Sequence, residues 1–367
     1  MREDDLPMIK TQLQARIVEL CHRLLPKGHK TGGRWVSHNP RFSDDARHEP
    51  ALNVRLSHPV GQWIDFRSGD KGDVLKLIQY CHHDCSLKDA LDFARDMLGL
   101  KNLKPADRQR LKQDAEQRQV RNAEAALKAR AFKLAKAQEL FFKDTDEPGR
   151  RSAAELHARE YFAARQVPLA AIPHLSQRAF RFAAETEWWK GAVWAHGANG
   201  KFKQQAGPFY PAIHSAMRAA SGAITCCHVT FLDPVKPAKA PVKPAKLMFG
   251  EAASAVIEVA TGPTGKDFWD AEATPDPLII AEGIETALSL ALAIPAARVW
   301  AAGSLTGMGT APVGLACVAD ITVARDNNDG NAQAQGQLAA ALVALEQAGK
   351  PLVVINSHVG DDFNDLM

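Results

Sequence analysis

The sequence predicts an α/β protein with an α+β N-terminal part, and three observations carry that expectation. From Pro277 onward, apolar strand-like runs alternate with helix-like runs, the pattern of a parallel sheet covered on both faces. Residues 1–100 instead hold short strands, turn signals and amphipathic helices. Between these regions, Lys101 to Lys143 is rich in Lys, Arg, Gln, Glu and Ala and has no glycine, which reads as a long solvated helix or helical pair.

The 367 residues are 46% hydrophobic and 24% charged, the balance of an ordinary globular chain of two to three domains. Six cysteines are too few for a disulfide scaffold, and no run of apolar residues reaches the length of a membrane span. No N-terminal signal segment is visible, so a cytoplasmic protein with reduced thiols is expected. The net charge of +3 conceals a division. Residues 272–367 carry 3 Lys and Arg against 11 Asp and Glu, or −8; the remainder carries 42 against 31, or +11. Basic surface suits phosphate backbones, and clustered carboxylates suit divalent metals.

Taken in order, Met8 to Leu25 has helical periodicity. Strands are expected at Arg34–Ser37, Leu52–Ser57 and Gln62–Phe66, the second marked by alternation at Leu52, Val54 and Leu56. Asp73 is placed to cap a helix to Cys81, and a further helix over Ser86–Leu98 closes on Gly99. A helix around Ala153–Gln166 follows, then strands at Ala192–Trp194, Phe209–Ile213, Ile224–Leu232 and Ala255–Val259. The duplicated VKPAK of Val235–Lys246 reads as a stiff basic loop, either a hairpin insertion or an arm facing phosphates. The last region gives strands in Pro277–Gly283, Arg298–Ser304, Ala316–Asp326 and Pro351–Ser357, with helices at Glu285–Ile294 and Asn331–Gly349.

In open parallel sheets, function collects at the carboxyl ends of the strands. That rule gathers Glu282, Asp326 with Asp329, and Asp361 with Asp362. Such carboxylates repel one another without a cation, and Mg²⁺ or Mn²⁺ suits them. Gly283 leaves room for close backbone approach beside Glu282.

The motifs AEGIETALS, AAGS, ARDNNDG and GDDFNDL, in that order, resemble the Toprim domain, most closely that of phage and plasmid DNA primases. TFLD with the following lysines and KLMFG, and YFAARQV, are similar to the segments that precede Toprim in those proteins. GQWIDFRSGDKGDVLKLI is similar to the end of a primase zinc-ribbon-like module. The implied division is a zinc-ribbon-like nucleic-acid-binding module at 1–100, a charged helical linker at 101–149, a primase-like part of the catalytic core at 150–271 and a Toprim metal-binding catalytic domain at 272–367.

Two departures stand out. Asn328 occupies the second acidic position of the usual Asp-x-Asp, with Asp329 one residue later. The zinc-ribbon cysteines are missing, and Cys81 to Cys85 (CHHDC) lacks a second knuckle, so zinc is not expected. TGPTGKD is not a phosphate loop, because Ala260 stands at the required glycine and Asp267 follows the lysine.

The resemblance implies a primase, a DNA-directed RNA polymerase that makes short RNA primers on single-stranded DNA from NTPs by metal-dependent nucleotidyl transfer. Glu282, Asp326 and Asp329 would be catalytic, and Glu282, Asp326, Asn328, Asp329 and Asp362 would hold the metal. Lys239, Lys243, Lys246, Arg34, Arg67, Lys71 and Trp35 would contact nucleotide or DNA, with Phe66 as a further stacking surface and Arg55 as a further phosphate contact, whereas Trp63 is expected to fill the small core. A helicase would lie on a separate chain, and a further helix is expected after DDFND. A Toprim-type nuclease and a non-catalytic DNA-binding protein with a degraded Toprim site are the alternatives. Tyr80, Tyr161 and Tyr210 lack the context of a topoisomerase nucleophile.

Overall fold

A computed structural model describes residues 6–41, 49–57, 59–100, 105–197, 200–327, 332–357 and 363. The chain divides into two compact units, Met1–Lys128 and Ala129–Met367. The boundary falls within one long helix, α5 (Pro105–Phe142). No helix among the described residues is long and apolar enough to cross a membrane.

The first unit opens with α1 (Leu6–Ala15) and α2 (Ile17–Leu24), so the helical periodicity of Met8–Leu25 is divided at Arg16, whose φ of −111° and ψ of 31° leave the helical region. Five antiparallel strands follow in sequential order: β1 (His29–Thr31), β2 (Arg34–Ser37), β3 (Leu52–Arg55), β4 (Trp63–Asp65) and β5 (Lys71–Gly72). Leu52 and Val54 point into the core while Asn53 and Arg55 point out, as period-two alternation requires. Helix α3 (Val74–Cys81) starts at Asp73, whose carboxylate accepts from the Leu75 and Lys76 amides at 3.1 Å. Helix α4 (Leu87–Met97) is capped by Ser86 and stops at Gly99, whose φ of +69° suits glycine.

The turn after β2 and the end of β4 are held by a polar network. The Asn39 amide donates to Asp65 and, at 2.7 Å, to the Tyr80 hydroxyl. The Arg41 guanidinium lies 3.8 Å from the Tyr80 ring centre and pairs with Asp84 at 2.6 Å. Cys21 is buried in the core, and burial pushes the Cys21 and Cys81 thiols up to about 12, away from reactive thiolates.

The second unit contains α6 (Ala153–Ala164), β6 (Phe180–Glu187), a separate hairpin of β7 (Val193–Gly197) and β8 (Gly200–Gln205), then β9 (Phe209–Ala219), β10 (Ile224–Phe231), β11 (Lys246–Gly250) and β12 (Ala255–Thr261). It continues with β13 (Asp276–Ala281), α7 (Ile284–Ala293), β14 (Arg298–Ala301), α8 (Leu305–Met308), β15 (Val318–Arg325), α9 (Ala332–Glu346) and β16 (Leu352–Asn356). One mixed sheet runs β11-β10-β9-β12-β14-β13-β15-β16, with β6 paired to β9. Strands β14, β13, β15 and β16 are mutually parallel, and β12 joins them antiparallel to β9.

Strands β13 and β14 are buried on both faces, which explains their unbroken apolar runs, whereas β16 at the sheet edge leaves Val353 58% exposed. Ile279, Ala281 and Val299 pack with Ala287 and Leu288 of α7. Leu278, Ile280, Trp300 and Val323 pack with Leu338 and Leu345 of α9. At the amino ends of β13 and β14, the fully buried Arg298 pairs with Glu258 and, at 3.5 Å, with Asp276.

Candidate active site

Strand β13 has β14 on one side and β15 on the other, so the strand order reverses there. A crevice opens at such a switch point, outside the carboxyl ends of the strands. Glu282 directly follows β13 and Asp326 directly follows β15. Both line one cavity of about 350 Å³ with Gly283, Ile284, Glu285 and Thr286 from the start of α7. Arg165, His228, Lys239, Lys246 and Gly303 complete the lining.

Backbone bonds fix the loops. The Gly303 amide donates to the Glu282 carbonyl at 2.9 Å, which ties the turn after β14 to the one after β13. Gly303 has a φ of +76°, and a Cβ there would lie 3.3 Å from the Met217 methyl, so glycine meets both demands. The Thr286 hydroxyl donates to Asp326 at 3.4 Å, and the Asn327 amide donates to the Ser357 carbonyl at 2.9 Å.

Charge in the cavity is organised around Glu285. Its side chain is 7% exposed and accepts three bonds: from the Tyr161 hydroxyl at 2.8 Å, from Lys239 at 2.9 Å and from Lys246 at 2.8 Å. Burial opposes its ionisation, but the two ammonium groups win and hold the carboxyl well below its ordinary range. Glu282 behaves in the opposite way. Burial raises its pKa, with Lys246 opposing. His228, on β10 and 4% exposed, is pushed down to about 4 by burial and the nearby Lys246, so its imidazole is neutral at pH 7.

The structure thus brings together Glu282, Asp326, Lys239 and Lys246 of the residues expected from the sequence. Lys243 is exposed and does not line the cavity, because the loop between β10 and β11 turns Lys239 inward, beside Lys246 at the start of β11. Asn328, Asp329, Asp361 and Asp362 lie outside the described residues. Glu282 and Asp326 present hard carboxylate oxygens to one space, a donor type that fits Mg²⁺ or Mn²⁺. Among the described residues, no three His, Cys, Asp or Glu side chains are grouped to hold a metal ion.

Sequence reasoning missed Glu285 and His228, and it singled out Arg165 only as part of a motif. Glu285 had a signal: it is the one charged residue in the apolar run of α7. His228 had none beyond its strand position.

The first unit has its own groove, about 470 Å³, on the outer face of its sheet. Arg34, Asn53, Arg55, Gln62, Phe66 and Lys71 are among its lining residues, and Phe66 is 63% exposed. Arg34 stands directly opposite Arg55 in register, a like-charge pair that a polyanion would relieve. Arg67 is exposed in the turn after β4 and is not part of that lining. Trp35 corrects the expectation of a stacking surface. It is 3% exposed, its indole N–H donates to the Leu25 carbonyl at 3.3 Å, and it packs against His22, because the helices cover its face of β2. Trp63 is buried, as expected, with its indole bonded to the Asp73 carbonyl at 3.1 Å.

No curated protein matches the chain. Among solved structures, the Aquifex aeolicus primase (zinc-binding and RNA polymerase domains) is 13% identical over 100% of this chain and 82% of its own, with a TM-score of 0.37. The DnaG primase catalytic domain bound to ssDNA is 15% identical over 66% and 77%, with a TM-score of 0.40. The primase fragment of the bacteriophage T7 primase-helicase protein is 10% identical over 89% and 92%, with a TM-score of 0.32. Residues 148–259 match a domain of unknown function, DUF7146, and residues 277–367 match the Toprim domain family. The C-terminal part of this α/β chain, with its parallel strands and their acidic carboxyl ends, is a Toprim domain.

Proposed function

We propose that the protein is a DNA primase that joins ribonucleotides on a single-stranded DNA template, in the replication of a mobile element such as a phage or plasmid. The observation that carries this reading is the meeting of Glu282 and Asp326 of the Toprim domain with Lys239, Lys246 and Arg165 of the preceding part in one cavity. Carboxylates for cations and basic groups for phosphates are the two needs of nucleotidyl transfer.

In the reaction, a 3′-hydroxyl oxygen attacks the α-phosphorus of an NTP and gives up its proton to water, a new P–O bond forms, and the bond to the β-phosphate breaks to release pyrophosphate. Divalent cations, when bound, stabilise the attacking oxygen and the leaving pyrophosphate. Glu282 and Asp326 would hold them, with Asp329, Asn328 and Asp362 as further donors. Lys239, Lys246 and Arg165 would bind and orient the triphosphate. Gly303 lines the same cavity, and its φ of +76° sets the turn after β14 beside the strand ends.

Template would lie on the outer face of the first unit's sheet, with Phe66 stacking a base and Arg34, Arg55 and Lys71 taking phosphates. Arg67 would contact the backbone nearby. A separate helicase is the expected partner, and the cytoplasm the expected setting.

The test is incubation of the full chain with labelled NTPs, Mg²⁺ or Mn²⁺ and a mixed-sequence single-stranded template. Short oligoribonucleotides are expected from the wild type and none from Glu282→Gln, with DNA binding kept. Synthesis by Glu282→Gln at the wild-type rate removes the assignment. Template cleavage without synthesis identifies a Toprim nuclease instead, and neither product points to a DNA-binding protein without catalysis.

A further inference from the structure

Lys239 and Lys246 reach the cavity from two points of the chain between β10 and β11. Lys239 is fixed by a bridge to Leu232, and Lys246 pairs with Thr230 at the start of β11. These bonds set the backbone but leave each flexible four-carbon side chain free to turn. Two ammonium groups in one cavity also repel each other.

Glu285 answers both problems. Lys239 donates to its Oε1 at 2.9 Å and Lys246 to its Oε2 at 2.8 Å, so each carboxylate oxygen takes one ammonium group. The Tyr161 hydroxyl donates to Oε1 at 2.8 Å, which fixes the rotation of the carboxylate. Tyr161 is 2% exposed and is not part of the cavity wall. The Glu285 side chain is covered, whereas those of Lys239 and Lys246 are about a third exposed. Two ammonium groups and one carboxylate leave an excess of one positive charge, which can meet an anion.

We propose that Glu285 is a positioning residue: it holds Lys239 and Lys246 as a two-point clamp for the phosphates of the incoming nucleoside triphosphate, and Tyr161 steadies it from behind. That the ligand is a nucleoside triphosphate rests on the primase reading; the holding of the two lysines for a polyphosphate does not.

Charge and position make opposite demands here. Glu285→Gln makes the group one charge more positive. If charge alone mattered, a polyphosphate would bind the variant more tightly. If the carboxylate positions the lysines, binding weakens despite the added charge.

The experiment compares the full-length wild type, Glu285→Gln and Tyr161→Phe by reductive dimethylation with formaldehyde. Mass spectrometry reads each lysine, with and without inorganic tripolyphosphate and Mg²⁺. Lys243, exposed on the same loop, is the internal reference. In the wild type, Lys239 and Lys246 should react more slowly than Lys243, and tripolyphosphate should slow them further. Glu285→Gln should speed both roughly tenfold, the worth of one hydrogen bond between charged groups, and leave Lys243 unchanged. The tripolyphosphate concentration for half protection should rise about tenfold in Glu285→Gln and about threefold in Tyr161→Phe. Primer synthesis run alongside should show the same order in KM for NTP, with a smaller change in kcat and none in KM for template.

Half protection at an equal or lower concentration in Glu285→Gln overturns the clamp, because the carboxylate then only offsets charge. Unchanged lysine reactivity in that variant overturns it as well, as does a wild type that tripolyphosphate leaves unprotected. Half protection unchanged in Tyr161→Phe removes the part given to Tyr161. If the wild type makes primers and Glu285→Gln keeps its KM, the clamp falls while the primase reading stands. If the wild type shows protection that depends on Glu285 but makes no primer, the clamp stands and the primase reading falls.

Discussion

Replacing Glu285 with Gln removes the single negative charge on which Lys239, Lys246 and Tyr161 converge. Both ammonium groups lie within 2.9 Å of the carboxylate, which is 7% exposed, whereas the lysine side chains are 34% and 35% exposed. Breaking a fully buried ion pair from one side costs about 3–5 kcal/mol, and an exposed pair is worth only about 0.2–1 kcal/mol. Here one end is buried, the other ends are partly screened by water, and the amide still accepts one bond. An intermediate loss of about 2 kcal/mol follows, or roughly a factor of 30 in an equilibrium constant. Hydrogen–deuterium exchange of the full chain can read this locally, as faster exchange of the α7 and β11 amides than in the wild type. The pH dependence supplies a second readout. Because the folded-state pKa lies below the ordinary value of 4.5, the stabilisation from ionised Glu285 is complete above that value. The gap between wild type and Glu285→Gln should stay constant above about pH 5 and narrow as pH falls through the carboxylate range toward the folded-state pKa. Unchanged protection at pH 7, or a gap that does not shrink in acid, refutes the role given to this carboxylate.

Three further outcomes are expected. Arg298→Met strands Glu258 and Asp276 as buried carboxylates without their cation, so it should destabilise the second unit by about 3–5 kcal/mol in urea denaturation. Gly303→Val forces a β-branched residue to a φ of +76° and crowds Met217, so primer synthesis should be lost while the thermal midpoint falls by only a few degrees, measured by calorimetry. In the first unit, Phe66→Ala should weaken single-stranded DNA by about 1–3 kcal/mol with little change in salt dependence, whereas the Arg34→Ala, Arg55→Ala double variant should flatten the log–log salt slope by about 1.4 in a fluorescence anisotropy titration.

Much of the fold was legible because its signals are local. The apolar runs of β13 and β14 follow from burial on both faces, and the Asp73 cap and the Gly99 stop follow from backbone chemistry within one turn. β6 and β8 were not expected. β6 is an edge strand with a polar end, and β8 belongs to an isolated hairpin, so neither carries a strong alternation. Trp35 was misjudged because RWVS has no hydrophobic alternation of its own, and the helices packed on the sheet decide which face is the core.

The candidate site divides in the same way. The sequence by itself determined that Glu282 and Asp326 sit at corresponding ends of parallel strands, since strand period and strand direction place them there. It also determined the basic and acidic halves of the chain. The tertiary structure alone decided that β12 joins the parallel strands to the preceding antiparallel ones in a continuous sheet. It alone decided that Lys239 rather than Lys243 turns inward, and that Glu285 binds partners 39, 46 and 124 residues away. Periodicity reports only neighbours along the chain. A buried carboxylate, by contrast, takes whichever cations the packed sheet brings within about 3 Å, and that pairing is a property of the assembled fold.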